Sequence, residues 1–331
     1  MERKEDKNKK ENIERGITLL ALVITIVILI ILSAVTINVV LGEGGLIEQA
    51  KNAAEKTQEV AKTEQEQLES LANELAGMIN ESEYPDEQPI PESTSYVGKY
   101  ADVDGDGTVD GIIYADLAVG GSGTWNPSED SSCDSYGEYT IPKVTSGLKK
   151  YKARKTGYRD DFGIADVVVQ VEGTTGTSRF YVMALEDVDS SEHTWYGNAY
   201  GNMDDYSTAT STSFGSGKQN TKNMIAKWNS SAYGSQNSDD MWRLSTVQSK
   251  IKEEPAWYVP SRSEWAAFGG QLGITRLNYS DKGLNNWYWS SSQRNQGYVW
   301  ITDINGGYVY YNKVNGSVNN HGHYVRLGAT F

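Results

Sequence analysis

From Ile17 to Leu41 the chain reads ITLLALVITIVILIILSAVTINVVL, about 25 residues with no charge and no proline. A helix rises about 1.5 Å per residue, so the run spans roughly 37 Å, enough to cross a bilayer with some tilt. In lipid a single segment closes its backbone hydrogen bonds only as a helix, so the run predicts a membrane helix. It is too long for the apolar core of a secretory signal, and the residues after Leu41 have the pattern of an amphipathic helix rather than a cleavage region. Arg3, Lys4, Lys7, Lys9, Lys10 and Arg15 precede the run, whereas Gly42 to Glu48 contains no basic residue. Lys and Arg are retained on the cytoplasmic side, so this asymmetry puts the N-terminus inside and the bulk of the chain outside.

The rest of the chain suits an extracellular setting. A formal charge of −14 over 331 residues excludes a nucleic-acid binder, which needs a basic surface to displace counterions. Cys133 is the sole cysteine, so no intrachain disulfide forms; a body of this size can do without one. All nine tryptophans lie beyond residue 124 and the first tyrosine is Tyr84, so the two ends are built differently. Between Leu46 and Ile79, apolar residues recur at threes and fours among Glu, Gln and Lys, predicting a thin, alanine-rich stalk helix. Three prolines among acids, from Glu81 to Pro91, break that helix and predict an extended linker.

Beyond Thr94 short apolar alternations are separated by Gly, Ser, Asn and Asp. Strands are predicted at Gly111 to Leu117, Ala165 to Val171, Phe180 to Leu185, Tyr298 to Ile304 and Tyr308 to Tyr311. Helices are predicted from Thr221 to Trp228 and after Ser261-Arg262-Ser263-Glu264, a capping box.

Two resemblances sharpen this. Glu14-Arg15-Gly16 followed by Ile17-Thr18-Leu19-Leu20 resembles the prepilin site of type IV pilins and pseudopilins. The resemblance implies a cut between Gly16 and Ile17, and a helix that is first a membrane anchor and then a filament core. Ala21 stands where those proteins usually carry a glutamate that pairs with a neighbouring subunit, so the resemblance implies membrane retention more firmly than pilus assembly. An ordinary signal anchor is the alternative. Separately, Trp257-Tyr258-Val259-Pro260-Ser261-Arg262-Ser263-Glu264-Trp265, Tyr288-Trp289-Ser290-Ser291-Ser292 and Tyr324 to Phe331 are similar to C-type-lectin-like domains of bacterial surface proteins. Formylglycine-generating enzymes and the variable proteins of diversity-generating retroelements share that fold. The enzymatic members depend on cysteines that this chain cannot supply, so the resemblance implies binding and no enzyme.

The expected organisation is therefore an α+β chain. It has a prepilin-like leader (1–16), a transmembrane or filament helix (17–41), a long N-terminal pilin-like helix continuing as a stalk (42–80), a linker (81–95) and a loop-rich C-type-lectin-like ligand-binding domain (96–331).

Two stretches carry candidate chemistry. Gln293 to Tyr324 is dense in Asn, Tyr and Gly, the palette of antibody combining sites, where Tyr gives rigid amphipathic area and Asn adaptable hydrogen bonds. The candidate ligand-binding residues are Arg294, Asn295, Tyr298, Asp303, Tyr308, Tyr310, Tyr311, Asn312, Asn315, Asn319, Asn320, His321 and His323. In the retroelement proteins the hypervariable positions lie in this terminal stretch. The alternative is an ordinary hairpin edge with Val299, Ile304 and Val309 inward. The second stretch places Asp102, Asp104, Asp106 and Asp110 at the first, third, fifth and ninth positions of a loop with Gly107 at the sixth, which suits Ca2+. Ile113 occupies the twelfth position, where an EF-hand needs Glu, and Asp-Gly repeats equally make a plain acidic turn. His321-Gly322-His323 with His193 is a weaker metal candidate, since zinc asks for three or four ligands.

The function expected is a cell-surface, pilin-like adhesin or receptor. Its partners would be the membrane, an extracellular protein or glycan, and other pilin subunits. The alternative is a structural minor pilin with no specific ligand.

Overall fold

The structure is a computed structural model that describes residues 22–33, 88–126, 137–158, 162, 167–305, 308–313 and 322–331, with the backbone alone at 308–313. The chain divides into two units, Met1–Glu83 and Tyr84–Phe331.

In the first unit the described segment is one helix, α1, over residues 22–33. The described residues of this helix cover about 18 Å, against about 30 Å for a bilayer core. Among the described residues no helix is long and apolar enough to cross a membrane. This corrects the long N-terminal pilin-like helix expected from the sequence. Residues 1–21 and 34–87, with Gly16, Ile17 and the stalk, lie outside the described residues.

The second unit corrects the expected α+β fold class as well, because it is mostly sheet. Strands β1 (Gln88–Pro89), β2 (Tyr100–Asp102), β3 (Gly111–Asp116), β6 (Tyr151–Lys155), β7 (Val167–Val171), β8 (Phe180–Asp187), β9 (Trp257–Tyr258) and β13 (Arg326–Thr330) form one sheet. Its order is β1-β6-β7-β2-β3-β8-β13-β9. All pairs are antiparallel except β2 with β7. A two-stranded sheet joins β4 (Gly121–Trp125) to β5 (Gly137–Ile141), and a third sheet orders β10 (Trp287–Asn295), β11 (Tyr298–Asp303) and β12 (Tyr308–Lys313). The helices are short: α2 (Tyr206–Ala209), α3 (Gly217–Asn229), α4 (Ser245–Lys250) and α5 (Arg262–Gln271). Runs of Val, Ile and Tyr between Gly, Asn and Asp favour this outcome, since branched and aromatic side chains pack well on a pleated surface.

Aromatic packing fills the core. Trp265 stacks on Tyr288 at 4.7 Å between centroids, and Trp195 meets Trp242 edge-on at 5.2 Å. The capping box is in place at α5: Glu264 N–H donates to Ser261 Oγ (3.3 Å), and Ser261 N–H donates to Glu264 Oε2 (2.7 Å). Glu264 is fully buried, and it also accepts from Gly217 N–H (3.0 Å) and the Tyr258 hydroxyl (3.1 Å). One helix start thereby ties α3, α5 and β9 together. Gly269 of α5 carries the indole of Trp125, which a Cβ would meet at 2.1 Å.

Candidate functional site

The β10–β11 turn, Gln296-Gly297, reaches a loop that precedes α2. Between them lies a cleft of about 590 Å3 lined by Tyr200, Asp204, Tyr206, Asn295, Gln296 and Tyr298 together with two glycines. Each wall has a physical anchor. On one side the chain enters the loop at Thr194 to Gly197, pinned by the buried carboxylate of Asp240. Asp240 Oδ1 accepts from Gly197 N–H (2.5 Å) and Thr194 Oγ1 (2.8 Å). Its Oδ2 accepts from Trp228 Nε1 (2.8 Å) and Asn237 N–H (2.9 Å). Further along, Asp205 holds Lys227 and the Tyr233 hydroxyl, which fixes the segment carrying Asp204 and Tyr206.

On the other side, Gly297 N–H donates to Asn295 Oδ1 (3.1 Å), which sets the amide so that its nitrogen remains a donor. Above Gly297 lies the Tyr200 ring: a Cβ at 297 would meet its Cε2 at 3.0 Å. Tyr200 is nevertheless 50% exposed. One edge of the ring thus lies over the Gly297 backbone while the ring stays open to solvent, and a Cβ at 297 would push it by a few tenths of an ångström. Next to the cleft, the Trp300 ring has the guanidinium carbons of Arg262 and Arg294 at 4.1 and 6.0 Å from its centroid.

The sequence-predicted binding residues separate into groups. Asn295 and Tyr298 line the cleft, and Arg294 is exposed beside it. Tyr308, Tyr310 and Asn312 on β12 are registered opposite Asp303, Ile301 and Val299, all buried on β11, whereas Tyr311 is opposite the half-buried Trp300. Asn315, Asn319, Asn320 and His321 lie outside the described residues. Two of the candidates are buried. Asp303 is 6% exposed, and His323 is fully buried with its ring 4.2 Å from that of Trp289 and 5.2 Å from that of Trp287. Asp303 sits on the inner strand of its sheet, paired with Trp287 and Tyr308, and the two indoles pack on His323. His323 also exchanges backbone hydrogen bonds with His193, whose Nε2 faces Asp189 Oδ1 at 2.9 Å.

Sequence reasoning missed Tyr200, Asp204, Tyr206 and Gln296. The signal was present: Tyr196-Gly197-Asn198-Ala199-Tyr200-Gly201-Asn202 repeats the Tyr, Asn and Gly palette of the terminal stretch.

The aspartate loop forms a second constellation. Ligand oxygens of Asp102, Asp104 and Asp106 lie within 4.8 Å of one another. Much of their capacity is already engaged. Asp102 accepts from Gly105 N–H (2.7 Å), Gly107 N–H (2.9 Å) and Gln170 Nε2, with Arg154 Nη2 3.5 Å away. The Thr108 hydroxyl and N–H donate to Asp106 and hold its carboxyl below the usual range. Burial pushes the Asp110 carboxyl up, against the Val103 N–H that donates to it at 2.6 Å, and the charges of Asp104 and Asp102 add to the rise. One guanidinium among four carboxylates leaves the loop strongly negative, which suits a hard cation, while the internal donors suit a self-sufficient turn.

No family model matches the chain, and no curated protein matches it. Among solved structures, a fimbrial protein from Bacteroides ovatus aligns over 71% of this chain and 48% of its own length, at 15% identity and a TM-score of 0.33. The chain thus spans about half the length of that protein. A superposition of this quality does not establish a common fold.

Proposed function

We propose that this chain is a surface-displayed binding protein, with an apolar N-terminal helix embedded in lipid or against neighbouring subunits and a β-rich body that captures an extracellular ligand. The observation that carries the binding role is the cleft with its seated, half-exposed Tyr200. Rigid aromatic area beside adaptable amides is what a recognition surface needs, since little conformational freedom is lost on binding.

Display at a surface is supported by α1 and by the basic residues before it. The large side chains from Leu22 to Leu32 are 47% to 62% exposed on every side of the helix. A helix apolar all round is stable only inside lipid or packed protein. The calcium role of the Asp102 loop belongs to the same proposal, as a stiffener remote from turnover.

The test is capture of target cells by the full-length chain in detergent micelles, compared with a Tyr200→Ala, Tyr206→Ala, Tyr298→Ala triple variant. Capture that falls at least tenfold with unchanged circular dichroism supports the cleft as the binding site. Equal capture by both proteins would return the chain to the alternative, a spacer subunit with no ligand of its own.

A further inference from the structure

Resting on the cleft as the binding site, we infer that its ligand is a neutral pyranose sugar whose apolar face stacks on Tyr200. Three observations narrow the chemistry. The first is the ring itself. Tyrosine is normally tucked in at least partly, yet Tyr200 keeps half its surface in water while the Cδ2–Cε2 edge of its ring lies over Gly297. A flat, fixed, electron-rich face matches the patch of weakly positive C–H groups that one side of a pyranose presents.

The second observation is the polar set around it. Asp204 supplies acceptors only, whereas Asn295 and Gln296 supply both donors and acceptors. Asn295 already spends its oxygen on Gly297 N–H, so what it offers a ligand is its NH2. Vicinal hydroxyls, each donor and acceptor at once, are the groups that satisfy such a mixture. An apolar ligand would leave these groups desolvated without partners.

The third is charge. The cleft carries an exposed carboxylate and no lysine or arginine among its lining residues, with Arg294 beside it, within a chain of net charge −14. With one guanidinium at the rim set against a carboxylate inside, sialic acids, sulfated glycans and phosphates are disfavoured. A cationic ligand is disfavoured too, because one solvent-facing carboxylate holds an ion pair only weakly.

The experiment applies the full-length chain in detergent micelles to a panel of immobilised neutral, sialylated and sulfated oligosaccharides, at low salt and at about 0.5 M NaCl. Retention of neutral glycans that survives salt is expected. Tyr200→Ala and Gly297→Val should each weaken it about tenfold or more, the first by removing the ring and the second by tilting it. Tyr200→Phe should retain it, and Leu277→Ser, at an exposed leucine outside the cleft, should leave it unchanged. Retention of charged glycans alone, retention abolished by salt, or equal retention by Tyr200→Ala overturns the sugar assignment. A silent panel combined with cell capture that still depends on Tyr200 overturns the sugar and leaves the cleft standing. A silent panel with capture indifferent to Tyr200 overturns both.

Discussion

Carboxylates do opposite work in two parts of the body. In the interior, Asp116, Asp240 and Glu264 are each surrounded by donors. Asp116 forms a two-point pair with Arg179, Nε to Oδ1 at 2.8 Å and Nη2 to Oδ2 at 2.9 Å, with both side chains at most 2% exposed. Arg179 also donates to the carbonyls of Pro91 (3.1 Å) and Thr94 (2.8 Å), stitching the start of the body to β3 and β8. At the surface, Asp104, Asp106 and Asp204 face water. An acidic composition alone does not distinguish the two kinds. The contrast teaches that part of the negative charge specifies the fold, and that the part left over is what a cation or ligand meets.

The sharpest way to break this contrast is Arg179→Met. It leaves Asp116 charged and buried with only two backbone N–H donors, from Tyr96 (3.3 Å) and Ala118 (2.9 Å). A loss of about 3–5 kcal/mol is expected from urea denaturation. A change near zero would mean that the buried Asp116 carboxylate does not need the guanidinium to offset its desolvation.

Asp240→Asn comes next. The amide keeps one acceptor and presents NH2 to groups that are themselves donors, which should cost about 2–3 kcal/mol. Because Asp240 holds the turn leading to Tyr200, ligand capture should fall as well. Lost stability with intact capture would detach the anchor from the cleft.

Glu264→Gln tests the same idea by pH. Burial raises the Glu264 carboxyl above 4.5, although Ser261, Tyr258 and Gly217 donate to it. A carboxyl raised in the fold favours its protonated form there. Its contribution is complete below 4.5 and is lost as pH rises through the folded value. The parent should therefore lose stability relative to Glu264→Gln as pH rises from acid toward neutral, in paired denaturation curves. Parallel curves would show that the donors fully offset burial.

The smallest structural effect belongs to the exposed loop. Asp104→Asn with Asp106→Asn should leave the melting temperature in EDTA almost unchanged. Added Ca2+ should raise the melting temperature of the parent and not of the variant. A parent indifferent to Ca2+ makes the loop a plain turn.

Local pattern carried far into this structure. The alternations at Gly111, Phe180, Tyr298 and Tyr308 became β3, β8, β11 and β12, and Ser261-Glu264 became the start of α5. Those features depend on neighbours in sequence, which a pattern can register. Strand β4 (Gly-Ser-Gly-Thr-Trp) escaped notice because it has no apolar alternation; Trp125 is secured by long-range packing and by its Nε1 bond to the Ile274 carbonyl at 2.7 Å. Part of the cleft was legible for the first reason, through Asn295 and Tyr298. The rest was hidden for the second, since Tyr200 gains its meaning from a glycine nearly a hundred residues on.

The seat beneath Tyr200 has an evolutionary corollary. The ring comes from one stretch of chain and its support from another, and the support is backbone. Substitutions at Asp204, Asn295 or Gln296 can therefore change which hydroxyl pattern is accepted without disturbing the platform. Change at 297 is costlier, because a side chain there pushes the ring by a few tenths of an ångström. Lineages carrying this scaffold should vary around a conserved glycine–tyrosine couple, like interchangeable teeth on a fixed jaw.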